Sequence, residues 1–235
     1  GSKLFSVSGD CHYPGVYEFP LGISVRELLE ACDALHPAYV QVSGPAGEFL
    51  TVDDFDRCFA FDDVPAGGSV MVFSKERDPQ EIVSSFMRFF AHESCGFCTP
   101  CRVGTQLFAN HLDELRSGKG TTTRMDNMDE LAELMQKASH CGLGQTAPNP
   151  VLSTIRYFRH EYETHIREQE CPSHSCKPLL HFRVIEEKCK KCGLCPRVCP
   201  VDCIAWEKGE VAVIDREACT ECTSCYDACR FMAIE

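Results

Sequence analysis

The sequence predicts a multidomain α+β chain, and three observations carry that expectation. Residues 3–75 mix strand-like alternation with one capped amphipathic helix. Residues 78–168 repeat apolar side chains at helical spacing behind cap and proline signals. Residues 181–235 carry one cysteine run twice. At 235 residues, the chain has room for two or three compact domains.

In the first segment LFSVSGD alternates apolar and polar residues, as a half-buried strand does. Pro14-Gly15 marks a turn and VYEF follows as a second strand. Ser24 with Glu27 forms a capping box that starts the helix VRELLEACDA. Tyr39–Val42 and Val70–Phe73 supply further strands. A hairpin, a helix and then more strands fit a β-grasp domain over residues 1–76. Cys11, Cys32 and Cys58 stand alone there and are expected to pack as small apolar core residues.

Residues 77–168 predict a four-helix bundle. Asp78-Pro79 with Glu81 gives an N-cap, a first-turn proline and a capping box. Ile82, Phe86, Phe89 and Phe90 are then expected on one face. Thr99-Pro100 repeats the start signal, followed by Val103, Leu107, Phe108, Leu112 and Leu115 up to Gly118 and Gly120. Asn127 with Glu130 predicts a third start before Leu131, Leu134 and Met135. Asn149-Pro150 opens the fourth helix, with Val151, Ile155, Phe158, Tyr162 and Ile166 on its buried side.

Residues 169–180 read as a linker rich in Cys, Ser, Pro and Lys. Beyond it, CKKCGLCPRVC at 189–199 recurs as CTECTSCYDAC at 219–229. Strand-like VIEEKC and VIDREAC precede the two copies, and WEKGEVAV reads as a hairpin between them.

A net charge of -12 opposes a general nucleic-acid binder, which needs a basic stripe. It equally opposes adhesion to anionic lipid. No apolar run reaches the length of a membrane span, so no direct membrane insertion is expected. Nothing at the start reads as a signal peptide. Gly1-Ser2, without an initiator methionine, fits either a tag scar or native sequence, and the chain reads as a piece of something longer.

Eighteen cysteines are the outlier. Most fall two residues apart, which suits metal ligation better than a disulfide framework. Cluster thiolates need a reducing compartment, so a cytoplasmic location is expected. Tandem CxxCxxCxxxC runs are the signature of two [4Fe-4S] clusters, with the fourth cysteine of each run ligating the other cluster. This assigns Cys189, Cys192, Cys195 and Cys229 to one cluster. Cys219, Cys222, Cys225 and Cys199 hold the second. Paired zinc knuckles are the competing reading. Cys203 follows Cys199 closely, but the repeat sets it opposite Ala233, so it is expected to be a buried thiol rather than a ligand.

SCGFCTPCRVG at 94–104 offers three more sulfurs, Cys95, Cys98 and Cys101. Thr99-Pro100 places Cys101 in a first helical turn, where free N–H groups face an anionic cluster. Cys141 in SHCGLGQTAPNP is the best candidate for the fourth ligand, because the glycines after it allow close backbone approach. A redox pair of Cys95 and Cys98 is the alternative, but that motif expects a βαβ context. In the linker, Cys171 and Cys176 with His165 suit a closed zinc site whose fourth ligand is unassigned. His160, His174 and His181 are also near, and two unligated thiols are the alternative. Lys188, Lys190, Lys191 and Arg197 around the first run either stabilise a reduced cluster, dock an acidic partner or simply form a solvated loop.

Residues 181–235 resemble bacterial two-cluster ferredoxins, with Arg230 where that family usually has proline. KLFSVSGD…PGVYEFPLG, ESCGFCTPCRVGT and CGLGQTAPNP together resemble the C-terminal part of the NADH-binding flavoprotein subunit of complex I, over residues 1–168. That resemblance implies a soluble-ligand-binding β-grasp domain and a bundle whose [4Fe-4S] cluster sits on Cys95, Cys98, Cys101 and Cys141. An added ferredoxin domain is typical of relatives in soluble NAD(P)-linked, often electron-bifurcating [FeFe]-hydrogenases, with some formate dehydrogenases related. The resemblance thus implies an iron–sulfur electron relay using three [4Fe-4S] clusters. Its partners would be an FMN/NADH-binding domain, a thioredoxin-like [2Fe-2S] subunit and a hydrogenase or formate dehydrogenase subunit. FMN and NAD(P) belong to the complete subunit: no GxGxxG occurs, so no catalytic site is expected in these residues. A stand-alone ferredoxin-like carrier is the alternative.

Overall fold

The computed structural model describes residues 1–235, a mixed α/β chain in two compact units, Gly1–Ser175 and Cys176–Glu235. The first unit opens with β1 (Ser2–Gly9) and β2 (Gly15–Pro20), an antiparallel pair in which Lys3 faces Phe19 and Phe5 faces Tyr17. Helix α1 (Val25–Ala31) starts at the expected box. The Glu27 N–H donates to Ser24 Oγ at 3.2 Å, and the Ser24 N–H donates back to the Glu27 carboxylate at 2.7 Å. Strands β3 (Pro37–Val42), β4 (Glu48–Thr51) and β5 (Ser69–Ser74) complete a five-stranded sheet in the order β2-β1-β5-β3-β4. The central strand β5 runs parallel to β1 and antiparallel to β3. At four residues, β4 is too short to show an alternation, which is why the sequence pattern misses it.

Both faces of the sheet are covered. Phe5, Val7, Val40, Val70 and Val72 pack with Val25 and Leu28 of α1. Tyr39, Phe49 and Phe73 face the helices that follow, with the Tyr39 ring 5.5 Å from Phe49 and 5.3 Å from Phe158. Of the three isolated cysteines only Cys32 is a core residue. Cys11 and Cys58 are half-buried, because they sit at single bridges (to Ala34 and Ser24) rather than inside a strand.

Helix α2 (Pro79–Glu93) is capped by Asp78, whose side chain accepts from the Gln80 N–H at 2.8 Å. Glu81 does not complete a box; its carboxylate lies 3.9 Å from Arg116. The buried stripe is Val83, Phe86, Met87 and Phe90, whereas Phe89 is exposed and Ile82 only partly covered. In α3 (Thr99–Arg116) the stripe is Cys101, Thr105, Phe108, Leu112 and Leu115. Val103 and Leu107, also at helical spacing, are exposed, since the 4-3-4-3 spacing from Cys101 turns them to the flank.

Helix α4 (Thr122–Ala138) begins at Thr121, which accepts from the Arg124 N–H, and not at Asn127. The correction has a physical reason: Met125 and Met128 extend the buried stripe of Ala132 and Met135 by one more turn. A short helix, α5 (Gly142–Thr146), was not anticipated. Helix α6 (Asn149–Arg167) buries Val151, Ile155 and Tyr162 and departs from helical geometry at Phe158.

In the second unit the two halves repeat each other. Gly193 (φ 66°) leads into α7 (Leu194–Val198), and β6 (Ile204–Ala205) pairs antiparallel with β7 (Val213–Ile214). The expected hairpin is there, paired at Ala205–Val213 and Ile204–Ile214, so that of WEKGEVAV only the last residue takes part in the ladder. Thr223 (φ 63°) then leads into α8 (Ser224–Ala228), and Val184 bridges Ile234 as Ile204 pairs Ile214. Cys203, Ile204, Ala212, Cys225 and Ile234 form a small core.

Candidate metal centres

The run in the first unit lies between α2 and α3. Gly96 (φ 77°) turns the chain after Cys95, Cys98 is the N-cap of α3, and Cys101 sits in its first turn behind Pro100. Cys141 caps α5. The two segments meet: the His140 N–H donates to Cys98 Sγ at 3.4 Å, and the His140 ring lies 5.6 Å from Phe97. Ser94 Oγ is 3.4 Å from Cys101 Sγ. A Cβ on Gly144 would stand 2.9 Å from Cys101 Cβ and 2.5 Å from Ser139 Oγ, so this glycine is what admits α5 to α3. Gly142, directly after Cys141, has open space around it and carries no such requirement. Cys101 is buried, Cys98 half-buried, and Cys95 and Cys141 exposed.

The second unit holds two cavities. One, of about 490 Å³ including its open mouth, is lined by Cys189, Cys192, Cys195 and Cys229, with Trp206 and Ala233 among its walls. The other, of about 280 Å³, is lined by Cys219, Cys222, Cys225 and Cys199, and also by Cys203. Each cavity therefore draws three thiols from one run and one from the other. Main-chain N–H groups point at these sulfurs: Lys191 to Cys189, Glu221 to Cys219 and Ala233 to Cys229, each at 3.4 Å. Such donors suit thiolates carrying the negative charge of a cluster. Burial pushes the Cys195 thiol up to about 11, so cluster binding would have to displace its proton.

A different geometry occurs beside the linker. In the first unit the ligand atoms of His165 and Cys171 lie within 4.8 Å of each other, and both residues are buried. That convergence suits a single ion, whose ligands sit about 2.0–2.3 Å from it. His165 Nδ1 lies 2.8 Å from the Glu161 carbonyl, which can only accept, and 3.3 Å from the Gln80 side-chain amide; with its proton on Nδ1 toward that carbonyl, the ring would leave Nε2 as the ligating atom.

Two features escaped the sequence reading. The Cys203 thiol stands 3.4 Å from Cys199 Sγ, which spacing alone does not reveal. The need for a glycine at 144 was visible only as one of the two glycines in CGLG.

Comparison with known proteins now bears on these centres. Residues 81–165 match the NADH-ubiquinone oxidoreductase-F iron–sulfur binding region. This stretch contains Cys95, Cys98, Cys101 and Cys141. The chain is 38% identical over 219 residues to the NADP-reducing hydrogenase subunit HndC of Solidesulfovibrio fructosivorans, covering 88% of this chain and 45% of that protein. It is 38% identical to the alpha subunit of the NAD-reducing hydrogenase HoxS of Cupriavidus necator, over 73% of this chain and 29% of that one. An NADH-quinone oxidoreductase subunit of Escherichia coli is 31% identical, over 74% of this chain and 42% of that one. Among solved structures, an NAD+-reducing [NiFe]-hydrogenase in the H2-reduced state superposes with a TM-score of 0.69 at 44% identity, over 77% of this chain and 31% of that one. The chain thus spans less than half the length of these relatives. It carries the iron–sulfur region of a group that includes complex I flavoprotein subunits and NAD(P)-linked hydrogenase subunits. No helix is long and apolar enough to cross a membrane.

Proposed function

We propose that these residues are the electron-relay portion of an NAD(P)H-linked oxidoreductase of the hydrogenase type, working in a reducing compartment such as the cytoplasm. In this reading the first segment is a β-grasp domain, α2, α3, α4 and α6 form a four-helix bundle, and the second unit is a two-cluster ferredoxin domain. Cys95, Cys98, Cys101 and Cys141 would hold one [4Fe-4S] cluster. Cys189, Cys192, Cys195 and Cys229 would hold a second, and Cys219, Cys222, Cys225 and Cys199 a third. The clusters supply one-electron chemistry when bound. The chain's part is to fix their positions, and to set their potentials through charge, exposure and hydrogen bonds to sulfur.

The observation that carries the reading is the crossed composition of the two cavities, three thiols from one run and one from the other. That is the ligand pattern of paired cubane clusters and not of independent zinc knuckles. The 88% coverage by a hydrogenase subunit supports the hydrogenase type. Partners would be an FMN- and NAD(P)H-binding domain, a [2Fe-2S] subunit of thioredoxin type and a hydrogenase or formate dehydrogenase subunit. His165, Cys171 and Cys176 would bind one zinc ion.

Anaerobically prepared chain should hold about twelve iron and twelve sulfide, four of each per cluster. Its visible absorbance should bleach reversibly with dithionite. Iron near eight would remove the bundle site from the proposal, and metal that does not bleach would remove the relay.

A further inference from the structure

We infer that Cys203 is a positioning residue that raises the reduction potential of the cluster held by Cys219, Cys222, Cys225 and Cys199. The inference rests on the ferredoxin reading above and adds to it a difference between the two halves. Cys203 is 7% exposed and its Sγ lies 3.4 Å from Cys199 Sγ. It lines the cavity that its neighbour would help to fill. A ligating thiolate has no proton, so in this pair only the Cys203 S–H can donate. A hydrogen bond into a cluster sulfur stabilises the added negative charge of the reduced state more than that of the oxidised state.

The other half lacks the device. The antiparallel bridges set Ile204 and Ile234 at equivalent places, so Ala233 takes the position of Cys203. Ala233 lines the first cavity with a methyl group and offers only its main-chain N–H, which donates to Cys229 at 3.4 Å. The side-chain proton is the part that differs. Cys203 is therefore more than the alanine-like packing residue expected from the repeat.

The test is an EPR-monitored redox titration of the cluster-loaded chain. Cys203→Ala should leave iron at the wild-type value and lower one midpoint by about tenfold in the reduction equilibrium, about 59 mV for one electron. Cys203→Ser, which keeps a donor, should retain most of the wild-type midpoint. Ala233→Cys, which installs a thiol on the opposite side, should raise the other midpoint. Unmoved midpoints in both Cys203→Ala and Ala233→Cys, with iron retained, would overturn the inference while leaving the ligand assignment standing. If Cys203→Ala loses iron while Cys199→Ala does not, Cys203 is itself the ligand and both readings fall.

Discussion

Replacing Gly144 by alanine separates local helix preference from the fit of the bundle site. Gly144 has ordinary helical backbone angles inside α5, so intrinsic propensity alone would favour alanine by about 1 kcal/mol. The structure opposes this. The added Cβ would lie 2.5 Å from Ser139 Oγ, 2.6 Å from Ser139 Cβ and 2.9 Å from Cys101 Cβ. Two of these neighbours are Cβ atoms, which move only with their backbone, and overpacking of this kind costs about 1–3 kcal/mol. The balance is a loss of up to about 2 kcal/mol, or a fall of up to roughly 4–8 °C in the thermal midpoint for a chain of this size. Displacing α5 also carries Cys141 away from Cys98 and Cys101. Iron should therefore fall from about twelve toward eight per chain. Anaerobic thermal denaturation and iron analysis read both effects. Adding Ser139→Gly to Gly144→Ala removes two of the three overlaps and should restore part of the loss. A midpoint unchanged or raised in Gly144→Ala, with full iron, would refute the claim that this glycine admits α5 to the site.

Cys229→Ala should damage the cluster on Cys189, Cys192 and Cys195 and spare its neighbour, while Cys199→Ala should do the reverse; EPR and iron content of each variant decide. Zinc near one per chain is expected, and His165→Ala or Cys171→Ala should release it without lowering iron; metal analysis showing no zinc after careful anaerobic preparation would count against the site. Asp10 is held down at about 2 by the Arg77 guanidinium and by the Ser74 N–H. Its carboxylate therefore stabilises the β1–β5 edge fully above the ordinary carboxylate range, near 4, and loses that contribution as the pH falls through 2. Arg77 is more than half exposed, so solvent screening limits the effect to about 1 kcal/mol. Amide exchange in β5 should show Asp10→Asn less protected than wild type at pH 7, with the gap closing as the pH approaches 2.

Features that depend on neighbours in the chain were legible in the order of the residues. Ser24 and Glu27 cap a helix because both partners lie within one turn. The two cysteine runs suit clusters because thiols at i, i+3 and i+6 on a tight loop can reach one compact core. Where a competing local signal existed, the pattern misplaced the boundary. Asn127 looks like a cap, yet Thr121 starts the helix, because a start at Asn127 would leave Met125 outside the buried stripe that it shares with Met128. Which apolar side chains face inward came from packing, since Phe89, Val103 and Leu107 satisfy helical spacing but find no facing element within the first unit. Packing also decided the contacts that join distant segments: Gly144 against Cys101, His140 against Cys98, and Cys203 against Cys199. These depend on approach distances of a few ångströms between backbones, and such distances follow from packing rather than from spacing along the chain.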